Sequence, residues 1–218
     1  MWRPALLALA ACCGAAQAAP PPLDLALAYY SRVLTPEGVT REARYQERML
    51  RRPGHVWSGR SLPAGTPPAP HGGHAEFNPA MLPRHVVLEQ GKVRLEYVDQ
   101  GGKAVIAIPP SEYGNVSFDG SWDNAWFLLD PARVMRLPVS ARASSVAGAQ
   151  WREREKDGLF ERVLWDPQRQ VALVIESGDR AGTVLRRIEV AVLPGLSASL
   201  PWQQMQGYAR KEYADFLD

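Results

Sequence analysis

The chain has 218 residues, which suits a single domain. Hydrophobic residues make up 46% and charged residues 22% of it, values close to globular averages, so the composition argues against both disorder and a membrane channel. The 25 basic and 23 acidic side chains leave a formal net charge of +2. Because this balance is too even to attract a polyanion by charge, we expect no nucleic-acid partner.

The N-terminal residues predict export. One positive charge at Arg3 precedes a short apolar run over residues 5–16, and Ala16-Gln17-Ala18 fits the small-x-small cleavage pattern. Cleavage after Ala18 would release a single periplasmic domain of residues 19–218. An alternative stays open, because Leu9-Ala10-Ala11-Cys12 resembles a lipobox and would anchor a lipoprotein through Cys12. The run is too short to span a bilayer, and no later stretch is longer, so we expect no transmembrane segment in the mature chain.

Both cysteines, Cys12 and Cys13, lie inside this leader. The cleaved form therefore has no disulfide, although the compartment is an oxidising one. Its stability has to come from a hydrophobic core.

Three helices are predicted from apolar spacing. An N-terminal helix is expected over residues 23–34, where apolar residues recur every three or four positions. In mid-chain, Ser121 is a suitable N-cap for a helix through Leu129, and Asp130-Pro131 opens a second helical turn that ends near Met135. A C-terminal helix is expected over residues 201–218.

The rest of the chain indicates strands, because apolar and polar residues alternate with a period of two from position 41 onward. The predicted strands cover residues 41–51, 55–62, 86–88, 92–98, 103–108, 150–156, 159–165, 171–177 and 183–193. Turn residues separate most of them, so the fold class is mainly β (α+β), a curved antiparallel sheet with a few short helices.

A resemblance to a known family rests on three segments, namely residues 163–167 (Val-Leu-Trp-Asp-Pro), 171–176 (Val-Ala-Leu-Val-Ile-Glu) and 180–187. They resemble a recurrent hairpin of the LolA/LolB/RseB-like superfamily. The resemblance implies an antiparallel half-barrel closed by helices, whose concave face holds a lipid, an acyl chain or an apolar peptide.

Aromatic residues on the mid-chain helix are the candidate ligand-binding residues. If this helix covers a half-barrel as a lid, Trp122, Trp126 and Phe127 would face its cavity. The alternative is that they pack in the core, since aromatic residues dominate core energetics.

A proline-rich loop over residues 63–85 offers a second candidate site. It contains His71, His74, Met81 and His85, and imidazole together with thioether ligands suits copper. The alternative is that these histidines are solvated loop residues, because no rigid element fixes the pair at 71 and 74.

The sequence contains no Gly-x-Ser-x-Gly elbow and no glycine-rich phosphate loop that opens a helix. We therefore expect no enzyme and no cofactor. The leading hypothesis is a noncatalytic periplasmic carrier for an apolar ligand or an envelope protein partner. The alternative is a periplasmic copper-binding protein.

Overall fold

A computed structural model describes residues 20–61 and 77–216. Its strands are β1 (Leu23–Leu34), β2 (Thr40–Arg52), β3 (His55–Arg60), β4 (Arg84–Glu89), β5 (Lys92–Asp99), β6 (Ala104–Ile108), β7 (Gln150–Lys156), β8 (Leu159–Asp166), β9 (Val171–Asp179), β10 (Val184–Val192) and β11 (Ala209–Glu212). These strands form one sheet in the order β11-β6-β5-β4-β3-β2-β1-β10-β9-β8-β7. The pairs are antiparallel except β11 with β6, which are parallel. The predicted curved, mainly antiparallel sheet is confirmed.

The helices are short. They are α1 (Trp122–Phe127), α2 (Pro131–Met135) and three 3₁₀ helices, Pro110–Val116, Pro201–Gln204 and Tyr213–Phe216. Both predicted caps are present: Ser121 Oγ accepts from the Asn124 amide at 3.1 Å, and Asp130 Oδ1 accepts from the Ala132 amide at 2.7 Å. In the described part of the chain, no helix has the length and apolar character needed to cross a bilayer.

The predicted N-terminal helix is wrong, because residues 23–34 form strand β1. The same residues also satisfy a period of two, in which Leu23, Leu25, Leu27 and Tyr29 share one face. The position of these residues in the sheet explains why they form a strand rather than a helix. As a central strand, β1 pairs with β10 on one side and β2 on the other, so its backbone groups bond on both edges.

The predicted C-terminal helix is also wrong. The helix that begins at Pro201 is one 3₁₀ turn that ends at Gln204. Gly207 follows with a φ of +83°, in the left-handed region, which does not allow the helix to continue. The next residues then pair with the otherwise free edge of β6, with Ala209 opposite Ala104. Hydrogen bonds to the edge of β6 therefore replace helical hydrogen bonds. The spacing of apolar residues within the C-terminal segment does not reveal this distant partner.

The predicted hairpins are confirmed with small shifts at their ends. Residue 62, the predicted end of the second strand, lies outside the described residues. The loop predicted over residues 63–85 ends before Arg84, because His85 belongs to β4 and pairs with Trp57 of β3.

The sheet has two different faces. We call the face against which α1 and α2 pack the inner face, and the opposite one the outer face. The inner core combines strand and helix residues, among them Leu25, Leu27, Met49, Val56, Val86, Leu95, Ile106, Trp126, Leu129 and Val134. A small second cluster of Leu50, Trp57 and Val98 lies on the outer face, covered by Leu200, Trp202, Met205 and Tyr208.

Arg51 of β2 binds α1 to the sheet through hydrogen bonds. Its side chain is fully buried, and its guanidinium nitrogens donate to four backbone carbonyls at 3.1 to 3.3 Å, those of Pro21, Trp126, Arg169 and Gln170. The guanidinium carbon also lies 5.2 Å from the ring centroid of Trp126. Burial lowers the pKa of Arg51 to about 10, so it remains charged at neutral pH. One cation thus joins the N-terminal segment, β2, the end of α1 and the β8–β9 turn.

Replacing Arg51 by alanine should lower the free energy of unfolding by about 3 kcal/mol or more, because several buried carbonyls would lose a charged donor. Urea denaturation measures this loss. Arg44→Ala is the control: it lies on the same strand with its side chain 73% exposed, and should cost less than about 1 kcal/mol. Equal losses in the two variants would contradict the anchoring role of Arg51.

Candidate functional site

The helices leave part of the inner face uncovered. Along β1 the inward side chains change from Leu25 and Leu27, which are 0% and 2% exposed, to half-buried Tyr29 and Val33. The same change occurs on the neighbouring strands. We call the half-buried area the open trough and define its apolar floor as Tyr29, Val33, Tyr45, Ile175, Val184 and Ile188.

The strand register places four of these residues in one row. Tyr45 lies opposite Tyr29, Tyr29 opposite Ile188, and Ile188 opposite Ile175. Because neighbouring strands are about 4.8 Å apart, the row spans roughly 14 Å. The rings of Tyr29 and Tyr45 stack, with centroids 4.4 Å apart. The floor is therefore a continuous apolar strip that crosses the strands.

Charged groups border this strip at its tyrosine end. The guanidinium carbon of Arg60 lies 4.3 Å from the ring centroid of Tyr45, and Glu47 lies on the inner face beside Tyr29. Burial, and then the charge of Glu47, raises the pKa of Tyr29 above its usual value. The Tyr29 hydroxyl accordingly keeps its proton and remains a hydrogen-bond donor.

The opposite end of the trough opens into a cavity of about 570 Å³. Val184 and Leu159 line it, and Leu159 is 62% exposed. Glu161 lies at its edge and pairs with Arg133 of α2 at 2.7 Å and with Arg154 of β7 at 3.5 Å. The charge of Glu161 is thus neutralised by two guanidinium groups. Asp157 and Asp179 also line the cavity, and Asp179 accepts hydrogen bonds from the Thr183 and Val184 amides.

The candidate lid residues lie on α1. Trp126 and Phe127 are 4% and 9% exposed and belong to the inner core, while Trp122 is half-buried with its ring 5.4 Å from that of Trp126. Trp126 and Phe127 therefore fill the covered part of the inner face, and they would reach a ligand only if α1 moved. Their role in ligand binding stays a prediction.

His85 lies on the outer face in a compact aromatic and charged cluster. Its Nε2 is 3.1 Å from Nδ1 of His55, and its Nδ1 is 3.4 Å from Oε2 of Glu96. The indole of Trp202 covers both imidazoles, at centroid distances of 5.1 Å from His55 and 5.4 Å from His85. Burial raises the pKa of Glu96, but its contacts with His85 and Arg210 outweigh this and hold the pKa below the usual range.

The structure describes two of the four residues of the copper hypothesis, Met81 and His85. Both ring nitrogens of His85 face the cluster just described, and Met81 lies in the turn before β4 with 41% of its side chain exposed. His71 and His74 lie outside the described residues. Within residues 20–61 and 77–216, no group of three or more His, Cys, Asp or Glu side chains is arranged to hold a metal ion. Copper binding by this loop stays a prediction.

Sequence reasoning missed the floor of the open trough on its β1 side. Tyr29 and Val33 were assigned to a helix, so neither was expected to line a sheet. The signal that finds them is the alternation from Leu23 to Tyr29, which places every second residue on one face. Arg60 has no comparable signal, since only the register with Glu47 brings it to the trough.

No protein-family model and no curated protein matches the chain. Among solved structures, two crystal forms of PNGF-II match at 6% identity and a TM-score of 0.39. The match covers 89% of this chain, but the chain spans only about a third (32%) of the length of PNGF-II.

Two further structures match over most of both chains. One is a putative outer membrane lipoprotein-sorting protein domain from Vibrio parahaemolyticus, at 12% identity, a TM-score of 0.31 and coverage of 80% of this chain and 87% of that one. The other is a DUF1329 family protein from Desulfovibrio piger, at 11% identity, a TM-score of 0.31 and coverage of 81% and 88%. The Vibrio protein is of the class that the sequence resemblance indicates. Similarities of this size carry no argument about function, which has to come from the chain's own residues.

The outer-face cluster predicts a loss of stability in mild acid. Burial, followed by the charge of His85, lowers the pKa of His55 below its usual value of 6.5. The unfolded chain therefore takes up a proton at His55 before the folded chain does, and the free energy of unfolding should decrease as the pH falls below about 6.5. Urea denaturation at pH 7 and pH 5 measures this decrease.

The matched variant is His55→Phe, which keeps a ring beneath Trp202 but does not titrate. Its stability should change less between pH 7 and pH 5 than that of the unmodified protein. Both values lie above the range in which carboxylates take up protons, so those groups contribute little to the difference. An unchanged pH dependence in the variant would show that His55 is not responsible.

Proposed function

We propose that this protein is a noncatalytic carrier in the bacterial periplasm and that the open trough holds a lipid-like apolar ligand. The observation that carries the proposal is the apolar strip of Tyr45, Tyr29, Ile188 and Ile175, which the helices α1 and α2 leave uncovered. Burial of that strip by an acyl chain supplies the driving force, at roughly 25 cal/mol per Å² of apolar area. The adjoining cavity of about 570 Å³ is within the range of small-molecule sites.

A noncatalytic role is supported by the chemistry of the trough. Nucleophilic catalysis by serine or cysteine needs a base within hydrogen-bond reach of the nucleophile. Ser31 and Ser177 are on the inner face, whereas both histidines of the described residues, His55 and His85, are on the outer face. The thickness of the sheet separates these two hydroxyls from the imidazoles, so the described part of the trough offers a surface for binding rather than such a pair.

A larger hollow of about 810 Å³ lies over the outer face of β10, β1 and β2, and it is a weaker candidate. Its floor combines the small residues Ala26, Ala28 and Ala191 with larger apolar residues, Val146, Leu164 and Val174. Its polar border is already satisfied, because Arg187 binds both Glu176 and Glu189. We place the carrier site in the open trough because its apolar side chains form a continuous row.

The proposal includes the export predicted from the N-terminal residues, with cleavage after Ala18 or, alternatively, attachment of lipid at Cys12. Both positions lie outside the described residues. Mass spectrometry of the native protein tests this part by identifying the mature N-terminus, and organic extraction of the same sample identifies a bound lipid. A protein that retains residues 1–18 would contradict export.

Adjacent residues of β10 provide a matched test of the trough. Val184 points to the inner face, where it lies opposite Val33, and Leu185 points to the outer face, and both are half-buried. Val184→Gln should weaken binding of an environment-sensitive apolar dye about tenfold, since loss of one buried apolar side chain costs roughly 1.5 kcal/mol. Fluorescence titration gives both affinities.

Leu185→Gln is the control and should leave the dye affinity unchanged. Thermal melting of both variants checks that the two substitutions perturb the sheet to a similar extent. An equal effect of the two substitutions on dye affinity, or an unmodified protein that binds no dye, would exclude the inner face as the carrier site.

A further inference from the structure

The arginines on the two faces of the sheet differ in whether they form ion pairs. On the outer face, Arg44, Arg48, Arg162 and Arg187 each lie within 4 Å of a carboxylate, those of Glu42, Asp24, Glu176 and Glu176 respectively. The inner face of the same strands carries Arg41, Arg60, Arg84 and Arg186 around the open trough. Within the described residues, no carboxylate lies within 4 Å of any of these four. Arg32 is the exception on the outer face, and it donates instead to the carbonyl oxygen of Gly182. The trough therefore concentrates four arginines that have no carboxylate partner in the described part of the chain.

The acidic groups of the inner face do not balance these four charges. Glu161 is shared between Arg133 and Arg154. Asp99 and Asp179 accept hydrogen bonds from backbone amides of the turns that follow them, and Glu47 lies opposite Arg60 in the strand register. A net positive surface beside an apolar strip is complementary to a molecule with a hydrocarbon part and a negative group.

We propose that the ligand of the open trough is an anionic amphiphile, whose acyl chain lies on the apolar strip and whose phosphate or carboxylate group binds at Arg60 and Arg84. This inference rests on the proposed carrier function and names the class of its ligand. Guanidinium groups suit such head groups because their paired N–H donors match two oxygens of a phosphate or carboxylate.

The surroundings of the two arginines support a head-group site. Arg60 is held over the ring of Tyr45, and Arg84 lies opposite Tyr97 and Ser58 in the strand register. The charge of Arg84 is close enough to the hydroxyls of Tyr29, Tyr45 and Tyr97 to act on the pKa of each, although burial raises all three overall. The tyrosines therefore remain protonated and add hydroxyl donors near the two guanidinium groups.

The acyl chain has a defined path from this site. It runs from Tyr45 and Tyr29 across Ile188 to Ile175, with Val33 and Val184 beside it, and ends at the cavity near Leu159. Charge lies at one end of this path and apolar area along its length, which is the arrangement of an amphiphile with a single head group.

Isothermal titration with two lysophospholipids of the same chain length tests the inference, at concentrations below micelle formation. Lysophosphatidylglycerol carries a net negative charge, and lysophosphatidylcholine is a neutral zwitterion. The unmodified protein should bind the anionic lipid at least tenfold more tightly. The double variant Arg60→Gln/Arg84→Gln should lose this preference and still bind the zwitterionic lipid.

Three controls sharpen the result. Arg44→Gln/Arg187→Gln removes two outer-face arginines and should keep the preference, and Arg60→Lys/Arg84→Lys should retain part of it. Glycerol phosphate, which has the head group without the chain, should not bind at millimolar concentration. Circular dichroism spectra and melting temperatures matching the unmodified protein establish that the variants fold.

The outcomes separate this inference from the carrier function. Equal affinity for the two lysolipids, or a preference that survives in the Arg60/Arg84 glutamine variant, overturns the anionic head-group site and leaves the carrier function standing. Binding of glycerol phosphate as tight as that of lysophosphatidylglycerol overturns an amphiphile as the ligand. Binding of neither lysolipid, together with no dye uptake, overturns both proposals.

Discussion

The buried guanidinium of Arg51 is the constraint on which the described structure depends. A cation with no exposed surface is costly unless its donors find partners. The carbonyls of Pro21, Trp126, Arg169 and Gln170 accept from its two terminal nitrogens, while Nε has no partner among the described residues. These carbonyls belong to segments that are far apart in the chain. The hydrogen bonds of one side chain therefore hold the N-terminal segment, α1 and the β8–β9 turn in fixed positions relative to β2.

This arrangement also decides where the inner face stays open. Because Arg51 holds the end of α1 against one end of β2, the aromatic side chains of α1 complete the core there. Within residues 20–61 and 77–216, no helix covers the opposite ends of β2, β1 and β10, and inward residues such as Tyr29, Tyr45 and Ile188 are half-buried there. A binding surface next to a rigid core needs little reorganisation when a ligand arrives, which favours affinity. Core and candidate site are thus consequences of the same packing.

The sequence predicted the β-rich class, most hairpins and both helix caps, because turn residues, alternation and capping act over a few neighbouring positions. It failed for residues 23–34, where helical and strand periods both fit the apolar pattern, and the choice depended on pairing with β10 and β2. It failed again after Gly207, where the partner strand β6 is about a hundred residues earlier. For the candidate site, Tyr45, Val184 and Ile188 could each be assigned to one face of a strand. Tyr29 could not, and the alternation did not show which strands lie side by side.

By itself, the sequence determined local structure and the mainly β class: strands separated by turns, and the helix caps at Ser121 and Asp130. Only the tertiary structure decided which side chains share a surface. The pairing of Arg51 with distant carbonyls, the row from Tyr45 to Ile175 and the gathering of Arg60 with Arg84 all depend on the register between strands. A shift of one residue in any pair would move a whole set of side chains to the other face, and single-strand patterns do not encode that choice.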